Sequence, residues 1–104
     1  MLRVGKLTDY GTAVMTSLAQ RPERLQSAAE IAAELGLALP TVSKILKTLV
    51  QNGLLVSLRG AKGGYNLAVA PEEISVAQII AAIRRFGHEP GNYELFRFFL
   101  ETGN

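Results

Sequence analysis

Residues 27–65 read SAAEIAAELGLALPTVSKILKTLVQNGLLVSLRGAKGGY, and this stretch decides the fold. Ser27 followed by Glu30 is a capping box: the serine oxygen accepts from the third backbone N–H while the glutamate reaches back to the first. A helix therefore starts at Ala28, with Ala28, Ile31, Ala32 and Leu35 on one face. Gly36 supplies the positive φ that lets the chain leave that helix in a tight turn of residues 36–39. Pro40 suits the first position of a second helix, where its missing N–H would have had no partner. Val42, Ile45, Leu46, Leu49 and Val50 make the buried stripe of this helix, and Gly53 ends it. Two short helices crossing closely at small Ala32 form a helix-turn-helix.

The opposite face of the second helix carries Thr41, Ser43, Lys44, Lys47, Thr48 and Gln51, which are short polar and basic side chains. On a recognition helix the N-terminal ones meet base edges in the major groove, while lysines hold phosphates. An ordinary solvated face has similar composition. The charge distribution weighs against that plainer reading. Residues 35–71 contain no Asp or Glu but include Lys44, Lys47, Arg59 and Lys62, so their local charge is +4 − 0 = +4 against +2 for the whole chain.

Residues 54–58 then form an apolar, β-branched run, residues 59–64 read RGAKGG, and residues 65–69 are extended in character. The pattern predicts a β-hairpin with a basic, glycine-rich tip. Such a tip can lie against a phosphate backbone or set Arg59 in a narrow A/T-rich minor groove. Glycines that serve only the turn are the alternative. A phosphate-binding loop fits poorly, because the Gly-x-x-x-x-Gly-Lys-Ser/Thr string is missing and no helix is expected after the glycines. The fold class is mainly α with a small β-hairpin, a winged helix-turn-helix.

The rest of the chain reads as scaffold. Residues 6–20 should form the first helix, with Leu7, Tyr10, Val14 and Leu18 inward and Gly11 permitting close packing. Residues 21–24 and the Glu72-Glu73 pair read as loops. Residues 75–83 should form a helix capped by Ser75, burying Val76, Ile79, Ile80 and Ile83. Arg84 and Arg85 read as solvated charges at its C-terminal end, where cations are favoured, with a DNA contact as the alternative. At 104 residues the chain is expected to be one domain with one modest core. With no cysteine it forms no disulfide, and without a signal-peptide pattern or a run of about 18 apolar residues a cytoplasmic location is expected. One histidine, no cysteine and no catalytic carboxylate pair argue against an enzyme.

The opening Lys6-Leu7-Thr8-Asp9-Tyr10-Gly11, the helix-turn-helix, and the wing Arg59-Gly60-x-x-Gly63-Gly64-Tyr65-x-Leu67 together resemble the Rrf family of winged-helix regulators, in its IscR-like and NsrR-like branches. Residues 1–19 look most like members that regulate the SUF iron–sulfur assembly operon. The resemblance covers roughly residues 1–83, and three motifs in this order make it specific. It implies a homodimer that binds pseudo-palindromic double-stranded promoter DNA, usually as a repressor. By position it assigns base and phosphate contacts to Thr41, Ser43, Lys44 and Lys47 in a recognition helix of residues 40–52. It assigns minor-groove and wing contacts to Ser57, Arg59 and Lys62 around a wing tip of residues 59–64.

The chain departs from the family in two respects. Members that sense through an iron–sulfur cluster use three closely spaced cysteines, and this chain has none, so no cofactor is expected and cluster sensing should be lost. Asp9 occupies the position of a carboxylate ligand in NsrR-like members, but reads here as a first-turn carboxylate favoured by the helix dipole. His88 reads as a solvated loop histidine. The second departure is at the C-terminal end, where motif agreement stops near Ile83. Residues 1–83 are expected to be the DNA-binding domain. Residues 84–104 are expected to be a tail or short helix from a truncated dimerisation region, with Tyr93, Phe96, Phe99 and Leu100 on one face. A winged-helix interaction module that pairs with a full-length relative stays open as the alternative.

Overall fold

The capping box at Ser27 closes in both directions. The Glu30 amide donates to Ser27 Oγ at 3.1 Å, and the Ser27 amide donates to Glu30 Oε1 at 2.9 Å. In this computed structural model, which describes residues 4–86, the order is α1 (Val4–Gln20), α2 (Ala28–Leu35), α3 (Leu39–Gln51), β1 (Leu55–Leu58), β2 (Gly64–Leu67), a 3-10 turn at Pro71–Glu73, and α4 (Val76–Phe86). The expected fold class is the observed one: helices enclosing a core, with one antiparallel hairpin among the described residues as the wing.

The turn between α2 and α3 follows from Gly36, whose φ of 68° is left-handed and whose amide bonds back to the Ala32 carbonyl. α3 starts one residue earlier than Pro40, which takes its second position. At the far end Asn52 closes the helix, its Nδ2 donating to the Thr48 carbonyl at 2.8 Å, and Gly53 at φ 78° turns the chain into β1. α4 is capped by Ser75 as expected, reciprocally with Gln78, but runs on to Phe86.

The core joins the inward stripes of all four helices. Leu7, Val14 and Leu18 of α1, Ile31 of α2, Val42, Ile45, Leu46 and Leu49 of α3, and Ile79, Ala82 and Ile83 of α4 are buried, together with Leu54 and Leu55. Tyr10 packs on this cluster while half-buried. Gly11 does what its position suggested: a Cβ there would lie 3.2 Å from Ile83 Cδ1 and 3.4 Å from Ile79 Cγ2, so α4 sits directly on the α1 backbone. Val76 departs from expectation. It is 61% exposed, because the first residue of α4 projects past the edge of the core that Ile79 and Ile83 seal.

Asp9 also departs. α1 begins at Val4, which leaves no acid in its first turn and sets exposed Asp9 in the second, beyond the best reach of the helix dipole. The pair Glu72-Glu73 belongs to the 3-10 turn rather than an open loop. Residues 92–102, with their aromatic stripe, and His88 lie outside the described residues.

Two acids of α2 are tied down by the preceding loop. Arg21 bonds Glu34 at 3.0 Å, and Arg24 bonds Glu30 at 3.2 Å. The Arg21 guanidinium, assisted by Ser17, holds the Glu34 carboxyl below its ordinary range. For Glu30 the Ser27 amide does most of this, with Arg24 second. Ser27→Ala removes one half of the box and should cost about 1 kcal/mol. Calorimetry should record that as a fall in Tm of roughly 4–8 °C for a domain of this size. An unchanged Tm would mean that Glu30 and Arg24 hold the helix start unaided.

Candidate nucleic-acid interface

α3 is buried along one flank more widely than its apolar stripe predicts. Thr48, expected on the polar face, is 1% exposed, and its buried hydroxyl has no hydrogen-bond partner among the described residues. The reason is α4, which packs along this flank of α3. Asn52, one turn beyond Thr48 on the same side, accepts a 2.8 Å bond from Arg85 Nη1, so Arg85 is partly engaged rather than simply solvated. Thr41 and Lys44 are half-buried. Ser43, Lys47 and Gln51 lie on the opposite side and face the wing.

Between α3 and the wing runs an open groove of about 750 Å³. Ser43, Lys47 and Gln51 form one wall, Ser57, Arg59 and Tyr65 the other, and Ser27 at the start of α2 closes one side. Four of the seven expected site residues, Ser43, Lys47, Ser57 and Arg59, are therefore brought together. Lys62 is exposed on the wing tip outside the groove lining, and Thr41 and Lys44 do not line it. Ser27 and Tyr65 were not anticipated as lining residues. Their proximity arises from a contact between distant segments that no local pattern encodes.

That contact also fixes the wing. β1 and β2 pair with Leu55 opposite Leu67 and Leu58 opposite Gly64, leaving residues 59–63 as the tip. A two-stranded hairpin is marginal alone. Here Gln26 adds a bridge to β2: its amide donates to the Tyr65 carbonyl at 3.1 Å, and the Tyr65 amide donates to the Gln26 carbonyl at 2.8 Å. The Gln26 side chain is buried, and its Nε2 donates to the Ser17 carbonyl of α1 at 3.1 Å. Asn66 Nδ2 adds a 2.9 Å bond to the Pro22 carbonyl. The wing is thus stitched to the segment that leads into α2.

The electrostatics of the groove follow from the charge pattern. Lys47 and Arg59 face each other across it, Lys44 and Lys62 belong to the same acid-free segment, and the carboxylates of nearby α2 are paired with Arg21 and Arg24. A concave, cationic surface between a helix and a hairpin tip suits a polyanion with two grooves at different depths.

The model for Rrf2, described as an iron-dependent transcriptional regulator, matches residues 4–94. The chain belongs to the Rrf2 family. It is similar to the HTH-type transcriptional regulator IscR of Aliivibrio salmonicida, with 32% identity over 82 residues, which is 75% of this chain and 49% of the relative. Among solved structures it resembles CymR, the global cysteine regulator of B. subtilis, with a TM-score of 0.71 and 29% identity over 88% of this chain and 79% of that one. It also resembles T. potens IscR, with a TM-score of 0.68 and 30% identity over 90% and 77%. The chain spans about half the length of the curated relatives it matches. These Rrf2 relatives are transcriptional regulators, not enzymes.

This Rrf2-family chain has no cysteine among its 104 residues, and among the described residues no three His, Cys, Asp or Glu side chains gather closely enough to hold a metal ion. Asp9 is exposed on α1. Among the described residues no helix is long and apolar enough to cross a membrane.

Proposed function

We propose that this chain is a cytoplasmic, sequence-specific DNA-binding transcriptional regulator that acts as a repressor without sensing through a cluster. The observation that carries this reading is the convergence of Ser43 and Lys47 with Ser57 and Arg59 across one acid-free groove. In this reading α3 enters the major groove, with Ser43 and Thr41 at base edges and Lys44 and Lys47 on phosphates. The wing tip follows the backbone, with Arg59 in the adjoining minor groove and Ser57 and Lys62 on its flanking phosphates. A homodimer on a pseudo-palindromic promoter site is part of the proposal, since one protomer offers a single half-site.

Fluorescence anisotropy on A/T-rich palindromic and scrambled duplexes across a salt series tests it. Preference for a palindrome, with a salt slope of several units, is the expected result. Weak, indiscriminate binding would count against it and leave the winged helix as an interaction module. Lys47→Ala should weaken binding to all sequences alike and lower the salt slope by about 1. An unchanged slope would remove Lys47 from the phosphate contacts.

A further inference from the structure

Two of the three helices that begin after a turn start on a reciprocal capping box, Ser27 with Glu30 in α2 and Ser75 with Gln78 in α4. α3 does not. Its N-cap is Ala38, which makes no side-chain cap bond, and Leu39 and Pro40 follow. All three are exposed, Leu39 by 46%. The helix that faces the groove therefore starts on a bare apolar tip, where a Ser or Asp would have stabilised it.

The direction of that tip follows from helix geometry. Leu39, Ser43 and Lys47 succeed one another at four-residue spacing and share a face. Since Ser43 and Lys47 line the groove, Leu39 extends the same row one turn toward the leading end. Side chains at the start of a recognition helix are those that reach base edges. The side chains of Ala38, Leu39 and Pro40 neither donate nor accept hydrogen bonds, so they cannot discriminate the donors and acceptors of guanine, cytosine or adenine. The apolar feature that a standard base pair offers in the major groove is the thymine C5-methyl group.

We propose that Leu39, with Pro40 beside it, is a specificity-determining contact that reads a thymine methyl group in the major groove. This rests on the DNA-binding reading above and adds to it the base and the atom recognised. Leu39 is too short of polar atoms to hold a phosphate, and its exposure in the free protein is relieved when a methyl group packs on it.

The test uses the full chain and a duplex that it selects from a random pool. Each thymine is replaced in turn by uracil, which deletes the methyl group and leaves every hydrogen-bonding atom in place. At least one substitution should weaken binding about three- to fivefold, as expected for one buried methyl group. Leu39→Ala should weaken binding to the thymine duplex by a similar factor and erase the difference between thymine and uracil there. Equal affinity of the unaltered protein for thymine and all-uracil duplexes would overturn the proposal, and that measurement needs no variant to fold. So would a Leu39→Ala protein that keeps the full thymine preference. A chain that selects no duplex at all overturns the DNA-binding reading and this contact with it, which separates the two failures.

Discussion

Gly64→Ala should lower the stability of this chain by about 3–4 kcal/mol and its Tm by roughly 15–25 °C. Gly64 has a φ of 151°, in a region that L side chains rarely enter. A Cβ there would stand 2.7 Å from the Gln26 carbonyl oxygen, 2.8 Å from its carbon and 3.1 Å from its nitrogen. All three are main-chain atoms, so no side chain can swing aside. Relief requires β2 to move off Gln26, which breaks the paired bonds between Gln26 and Tyr65 and disturbs the buried Gln26 amide. Gly60→Ala is the matched control. Gly60 has a φ of 111° but open space around its Cβ position, so it should lose only the conformational term, about 1–2 kcal/mol. Equal losses for the two variants in calorimetry would show that backbone strain alone matters and that the wing is not clamped.

Arg59→Ala should reduce affinity for an A/T-rich palindromic site by roughly thirtyfold, about 2 kcal/mol, while leaving Tm within a degree or so. Arg59 is exposed at the junction of β1 and the tip, where its loss uncovers no core. The loss should shrink when the flanking A/T steps are replaced by G/C, because a wide minor groove concentrates less negative potential. Arg59→Lys should recover only part of the affinity, since lysine keeps the charge but lacks the planar guanidinium. An Arg59→Ala protein that binds A/T-flanked and G/C-flanked sites with the same deficit would place Arg59 on a phosphate instead of in the minor groove.

The features legible in the sequence are those set within one or two turns of chain. Ser27 and Glu30 lie one turn apart, so their reciprocal bonds could be read directly, as could the left-handed Gly36 that follows. The stripe of Val42, Ile45, Leu46 and Leu49 was legible for the same reason. Periodicity gives the centre of such a stripe but not its width. Thr48 is buried because α4 lies along α3, and Val76 is exposed because the core ends at Ile79, short of the first residue of α4; both depend on packing between elements. Within the candidate site, Ser43 and Lys47 were legible from the polar face of the second helix and Arg59 from the basic hairpin tip, whereas Ser57 entered only through the family resemblance. Ser27, Tyr65 and Gln26 were not, because the bridge that joins them pairs a loop before α2 with a strand after α3.

That bridge makes the wing a gauge. With β2 held to Gln26, and Gln26 to α1, the base of the wing is tied to the helical core, which sets the span from Arg59 to the leading end of α3 in the free protein. For a molecule that reads DNA, the duplex must then bring adjacent grooves to a preset separation. Sequences whose steps twist and roll easily can do so at low elastic cost, and stiff ones cannot. On the proposed DNA-binding reading, selection among sites should then be sensitive to base pairs that no side chain touches.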